Sequence, residues 1–289
     1  MTQLNERVTD SFEIEELEYL RHGKEPLLAR VFKPRQPKPF PMVIEAHGGA
    51  WVNGTRMNNE AINRALASRG IGVAALDFRA PPSATYPGSV ADIHFGIRWL
   101  KANAARFGSR PDWVGAMGSS SGGHLAVLAS MKPHDPRYAA IPLPHGNEDA
   151  TVPYVVALWP VICPLGRYRY LKNRPRDPSH GVLMRGVESQ EFYWGSEEAM
   201  GEGSPAMALE RGDQVSLPDM IYFQNEEDNL HPRADVDRFV KGYRAAGGKL
   251  NLQFFSGATY DYIRVEPDCA EANRVFEMIA DFVKRHALP

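Results

Sequence analysis

Five residues, Gly118-Ser119-Ser120-Ser121-Gly122, restrict the fold of this chain more than any other stretch. They lie between a buried-strand pattern, Trp113 to Met117, and a helical one, His124 to Met131. A backbone that passes from strand to helix in so few residues must turn sharply, and the turn brings its two arms together. Glycines two residues either side of Ser120 leave out the Cβ atoms that would collide there. The pattern predicts Ser120 at the tip of the turn, exposed above the end of a sheet.

The rest of the chain supplies the sheet. Short apolar runs are expected as strands at Leu27 to Phe32, Met42 to Ala46, Val73 to Phe78, Trp113 to Met117, Tyr154 to Trp159, Met220 to Gln224 and Leu250 to Phe255. Between them, Asn58 to Arg69, Val90 to Phe107, Ser121 to Met131, Arg233 to Ala246 and Ala270 to Arg285 repeat apolar residues at helical spacing. Strand alternating with helix predicts a mostly parallel sheet with helices on both faces, and functional residues then gather at the carboxyl ends of the strands. Two segments break the alternation, Lys132 to Pro153 and Pro164 to Leu217. The second is too long for a structureless loop and is expected to form short cap helices over the site. It carries Arg167-Tyr168-Arg169-Tyr170 and Phe192-Tyr193-Trp194, which either pack the cap or line a substrate entrance.

With 43% hydrophobic residues, the 289-residue chain can bury one large core, so a single domain spanning 1–289 with a cap insertion at about 164–217 is expected. A net charge of -2 and no long basic run argue against nucleic acid or an anionic membrane as partner. A small, near-neutral substrate fits better, and a homodimer is compatible with the sequence. Met1 to Leu20 is acidic and polar without an apolar core, and no long apolar run follows, so neither a signal peptide nor a membrane span is expected and the cytoplasm is the expected location. Cys163 and Cys269 lack metal-ligand spacing and are expected as free buried thiols. No metal or phosphate motif occurs, so no cofactor and no metal are expected.

Upstream of the elbow, Met42 to Ala46 runs into His47-Gly48-Gly49-Ala50-Trp51. A glycine pair lets backbone N–H groups approach a substrate carbonyl closely, and a lost donor of this kind costs ~3 kcal/mol in the transition state. Gly48 or Gly49, together with the N–H of Ser121, is expected to form an oxyanion hole. Taken alone, His-Gly-Gly is also an ordinary tight turn after a strand.

These motifs resemble an α/β-hydrolase of the hormone-sensitive-lipase and acetyl-esterase type, close to the feruloyl and acetyl xylan esterase-like branch. The resemblance rests on His47 to Trp51, Asp77-Phe78-Arg79-Ala80-Pro81, Ile97-Arg98-Trp99-Leu100, and Gly118 to Leu125, and it extends from about Leu27 to the C-terminus. It implies an α/β-hydrolase fold and hydrolysis of small carboxylic esters through an acyl-enzyme on Ser120. It also implies a triad acid in the loop Asn225 to Pro232, where Asp228 matches the family position; taken alone, an Asp ahead of a helix is more often a cap, and Glu226 and Glu227 are nearby competitors.

At the histidine the sequence departs from the family pattern. The segment after Leu250 to Phe255 reads Ser256-Gly257-Ala258-Thr259-Tyr260-Asp261-Tyr262, so Tyr260 stands in the slot that the family gives to histidine. A phenol of pKa near ~10 is a poor base at neutral pH. Of nine histidines, only His231 and His286 follow Asp228. His286 falls at the end of the last helix, leaving His231, three residues past Asp228, as the candidate base. The competing reading has His231 capping or packing the helix that starts at Pro232. His124 is expected to pack under the sheet, and His47 to shape the glycine loop. Three functions stay open: an esterase, a degenerate hydrolase that binds a small ligand, and a lyase or cyclase with Tyr260 as acid.

Overall fold

The computed structural model describes residues 4–8, 11–174 and 181–287, with side chains at 11–174 and 185–287. Nine strands form one sheet in the order β1-β2-β3-β5-β4-β6-β7-β8-β9. They are β1 (Leu4–Val8), β2 (Phe12–His22), β3 (Glu25–Pro34), β4 (Met42–Ala46), β5 (Gly72–Leu76), β6 (Val114–Ser119), β7 (Tyr154–Leu158), β8 (Asp219–Asn225) and β9 (Leu250–Phe255). From β5 to β9 every neighbouring pair is parallel, while β1, β2 and β3 join antiparallel at one edge. The helices are α1 (Glu60–Ser68), α2 (Gly88–Ala102), α3 (Ala104–Phe107), α4 (Ser120–Met131), α5 (Pro164–Lys172), α6 (Gly181–Trp194), α7 (Glu197–Glu202), α8 (Pro205–Arg211), α9 (Arg233–Ala245), α10 (Tyr262–Val265) and α11 (Ala270–Ala287).

The side-chain period of two divides the strands between two cores. Met42, Ile44, Ala74, Leu76, Val155 and Ala157 pack with α2, α4 and α9. Val43, Val73, Ala75, Val156, Ile221 and Phe223 face α1 and α11. On α11 the positions Ala272, Val275, Phe276, Ile279, Ala280 and Val283 recur at helical spacing and are all buried. Each large side chain among them contributes roughly 1.5–3 kcal/mol of burial.

The expected α/β-hydrolase fold forms, with two departures at its edges. The acidic N-terminal stretch, unassigned from its sequence, supplies β2 and β1. Phe12 and Ile14 of β2 turn inward, and its carboxylates meet cations of β3 and the strand end: Glu15 with Lys33 at 3.0 Å, Glu13 with Arg35 at 3.2 Å, and Glu16 with Arg30. Cross-strand pairing thus accounts for the charges of this acidic stretch. The helix expected over Val90 to Phe107 breaks at Asn103, whose side-chain amide donates to the Trp99 carbonyl at 2.8 Å and separates α2 from α3.

The segment expected as a cap carries α5, α7 and α8 as short helices and α6 as one of fourteen residues, and 175–180 lies outside the described residues. Tyr193 and Trp194 are packing residues, stacked on and edge-on to the buried Trp51, whereas Phe192 is exposed. Both cysteines are free thiols, Cys163 buried as expected but Cys269 only half-buried. No helix among the described residues is long and apolar enough to cross a membrane.

Strand order explains where a site can form. From β4 the chain crosses through α1 to β5 on one side, then through α2 to β6 on the other. The crossovers on either side of β4 diverge and leave a crevice above the β4 and β6 carboxyl ends. Ala46 pairs with Gly118, so the His47 loop and the serine turn leave the sheet side by side.

Candidate active site

The elbow is built as its glycines require. Ser120 has φ +51, a left-handed conformation that costs a non-glycine residue on the order of 1–3 kcal/mol and is held only by its surroundings. A Cβ at Gly118 would lie 2.5 Å from the Gly122 carbonyl oxygen, and one at Gly122 only 2.1 Å from that of Ala46. The turn and the β4 end therefore touch through bare backbone. On the far side, the Val161 N–H donates to the Ser120 carbonyl at 3.0 Å, tying the turn to the residues after β7.

The glycine loop lies against the serine: a Cβ at Gly48 would be 3.2 Å from Ser120 Cβ. Gly49 has φ +130, and a Cβ there would overlap Asn53 backbone at 1.8 Å. His47 Nδ1–H donates to the Gly48 carbonyl at 2.7 Å, and its ring stacks on Phe78 at 4.2 Å. Holding that carbonyl toward His47 turns the N–H of the same trans peptide, that of Gly49, the opposite way. The N–H groups of Gly48 and Gly49 donate to no described residue. Ser121 sits in the first turn of α4, where an N–H has no intrahelical acceptor.

His231 approaches from the loop after β8. Its Nε2 is 3.4 Å from Ser120 Oγ, and its Nδ1–H donates to Asp228 Oδ2 at 2.7 Å. Asp228 Oδ1 accepts the N–H groups of Leu230 at 2.8 Å and His231 at 3.0 Å, and Gln224 Nε2 also donates to Oδ2. Burial pushes the Asp228 carboxyl upward, but the facing His231, its hydrogen bond and the two backbone N–H groups together hold it below the ordinary aspartate value. The His231 ring is nearly sealed, its side chain 3% exposed. Glu226 and Glu227 are exposed on the same loop and make no hydrogen bond to His231.

Tyr260 comes close without joining this chain of hydrogen bonds. Its ring meets His231 edge-on at 5.4 Å and Trp159 at 6.5 Å, and its hydroxyl bonds to no described residue. Burial, followed by the charge of Asp261, raises its pKa above that of a free phenol. His286 is remote, held by the Phe282 carbonyl and Asp219. His124 is buried in α4, yet its contacts are to the loop and cap rather than the sheet: Nδ1 accepts from Trp51 Nε1 at 3.2 Å, and Nε2–H donates to the Gly203 carbonyl at 2.8 Å. Burial drives its pKa down to about 4, which fixes the neutral ring in that tautomer.

A buried carboxylate below the elbow escaped sequence reasoning. Glu45, fully buried in β4, accepts from Asn59 Nδ2 at 2.7 Å, and the same amide nitrogen donates to Ser119 Oγ at 2.8 Å. Desolvation raises the Glu45 pKa to about 7 despite the bonds from Asn59 and Asn63. The signal was visible: a charged residue inside the apolar run Met42 to Ala46. The pocket above Ser120 encloses about 510 Å³ and is walled by Gly48, Gly49, Ser120, His231, Tyr260 and, from the cap, Arg167. Among the described residues no cluster of His, Cys, Asp and Glu is arranged to hold a metal ion.

Comparison with known proteins agrees with this architecture. Residues 31–162 match the BD-FAE family. Esterase LipC of Mycobacterium tuberculosis is 29% identical over 74% of this chain and 50% of its own length. An arylesterase of Saccharolobus solfataricus is 32% identical over 72% of this chain and 64% of its own. The chain thus spans about half the length of curated relatives such as LipC. Among solved structures, a hyperthermophilic esterase from the archaeon Pyrobaculum calidifontis superimposes with a TM-score of 0.76 at 22% identity, covering 96% of this chain and 86% of that one. At that identity the superposition speaks for the fold.

Proposed function

We propose that this protein is a serine carboxylesterase acting on small acyl esters, with Ser120 as nucleophile, His231 as general base and Asp228 as the acid that orients it. The observation that carries the reading is the unbroken line from Ser120 Oγ through His231 Nε2 and Nδ1 to Asp228 Oδ2, with steps of 3.4 and 2.7 Å. The first contact is long, as such contacts often are before substrate is bound. The esterases among its relatives support the same class of reaction.

In this mechanism Asp228 keeps the proton on His231 Nδ1, leaving Nε2 free to accept the Ser120 proton as Oγ attacks the ester carbonyl. The oxyanion forms beside the N–H groups of Gly48 or Gly49 and Ser121. The imidazolium then protonates the departing alkoxide, releasing the alcohol and leaving an acyl group on Ser120. Water, deprotonated by His231, attacks that ester; the bond to Ser120 Oγ breaks, the imidazolium returns its proton to Oγ, and the carboxylic acid departs. Tyr260, with its raised pKa and edge-on packing, serves as a wall for the imidazole rather than as a base. Mass spectrometry after treatment with a fluorophosphonate tests the reading: a single adduct on Ser120 is expected, and none on a folded protein refutes it.

A further inference from the structure

We infer that the preferred substrate is an ester bearing a second, anionic group, a carboxylate remote from the scissile bond, which docks on Arg167. This rests on the esterase reading for the scissile bond but not for the anion site itself. Arg167, on α5 of the cap, is 6% exposed. Its Nε donates to the Leu230 carbonyl at 3.0 Å and its Nη1 to Gln190 Oε1 at 2.7 Å, both neutral acceptors. Among the described residues it forms no ion pair, and Nη2 meets no acceptor.

A buried guanidinium without a counter-ion is costly and tends to be kept where something supplies the missing charge. Desolvation lowers the Arg167 pKa to about 10, with Tyr260 and Asp228 pulling the other way, so the group stays cationic at neutral pH. Asp228 cannot serve as its partner, because both carboxylate oxygens are occupied by His231, Gln224 and backbone N–H groups. Of the other charged side chains lining the pocket, Arg264 pairs with Asp261, while Arg185 and Glu188 are exposed to solvent. Among the described residues, Arg167 is the buried cation of this wall that forms no ion pair.

Its free edge is also left open. Nη2 is not among the sealed, unpartnered atoms of the interior, and Arg167 forms part of the same wall as Ser120 and His231. Gly186 on α6 stands beside it, where a Cβ would sit 3.4 Å from Nη2. Glycine at that position leaves uncovered a cation that any side chain would begin to cover. An Nη2 group without an acceptor, on the wall of a pocket that contains the nucleophile, suits a carboxylate, which would take a charge-assisted hydrogen bond from it.

The test compares kcat/KM for monomethyl succinate through monomethyl suberate with the methyl alkanoates of equal length, and for acetate esters of ω-hydroxy acids with alkyl acetates. The first arm places the carboxylate in the acyl part and the second in the alcohol part. A charged hydrogen bond of this kind predicts roughly a 10- to 100-fold preference for the anionic ester in one arm, carried mainly by KM. Arg167→Gln should collapse that ratio. Gly186→Val should do the same while leaving the hydrogen bonds to Leu230 and Gln190 in place, which covers the case in which Arg167→Gln does not fold. Binding of succinate through suberate, followed by calorimetry, reads the site without turnover and should be lost in both variants. Neutral esters preferred at every length in both arms, or both ester classes slowed alike by both variants, overturns the inference; so does the absence of dicarboxylate binding at millimolar concentration. Failure of the esterase reading shows separately, as absence of a fluorophosphonate adduct on Ser120.

Discussion

Asp228→Asn is the sharpest test of how the site handles protons, because the surrounding hydrogen bonds dictate which way the new amide must face. Asp228 Oδ1 accepts two backbone N–H groups, at 2.8 and 3.0 Å. An amide that turned its NH2 group there would lose both bonds and set donor against donor, at ~1–3 kcal/mol for each unsatisfied group. Its oxygen therefore stays with the backbone and its NH2 faces His231 Nδ1. Nδ1 must then accept, the ring proton moves to Nε2, and the imidazole can no longer take the proton of Ser120. The inverted tautomer predicts a loss of kcat on the order of 10⁴-fold, as in other serine triads, or ~5 kcal/mol of transition-state stabilisation.

The fold should survive this change. Gln224 Oε1 is buried without a partner, so rotating its amide lets it accept from the new NH2 group. The assay is steady-state hydrolysis of p-nitrophenyl acetate, with thermal unfolding as the control. A folded variant that keeps more than about a tenth of the wild-type kcat would refute the tautomer argument, given the loss expected when the orienting acid fails.

Three further outcomes follow from the same geometry. His231→Ala should lower kcat by ~10³-fold or more while Tyr260→Phe stays within a few-fold of wild type, and the reverse pattern in steady-state assays would hand the base to Tyr260. Gly122→Ala forces a methyl group to 2.1 Å from the Ala46 carbonyl oxygen, and denaturant unfolding should show a loss of about 3 kcal/mol, a small loss meaning that the elbow is not held against β4. Glu45, with a folded pKa of about 7 above its unfolded value, contributes stability that is fully present below the unfolded pKa near 4.5 and is lost as pH rises through 7. Melting temperature should therefore fall between pH 5 and 8 by an amount equivalent to at most about 3 kcal/mol, and Glu45→Gln should flatten that slope; an unchanged slope would show that Glu45 is not the titrating group.

Much of this protein was legible in one dimension because its constraints are local. The parallel strands read as short apolar runs since both faces of each are buried, and α11 announced itself by helical spacing. The N-terminal ribbon was not legible, because Glu13, Glu15 and Glu16 look solvated until Arg30, Lys33 and Arg35 lie opposite them. Arg167 stood out only as one member of an aromatic and basic stretch, and nothing in its neighbours in sequence tells that its guanidinium forms no ion pair among the described residues.

The serine turn and the histidine mark the division most clearly. Sequence alone determined the turn, because Gly118 and Gly122 answer a steric demand made by the atoms of the turn and of the strand end beside it. Which group faces Ser120 was a tertiary decision. A histidine three residues beyond Asp228 and a tyrosine in the expected slot were both candidates along the chain. The pairing of Asn225 with Phe255 and the course of the loop after β8 bring His231 Nε2 to 3.4 Å from Ser120 Oγ and set the Tyr260 ring edge-on to it. A proton can pass only between atoms in contact, and contact across 111 residues of sequence is decided by the packing of the sheet and its loops.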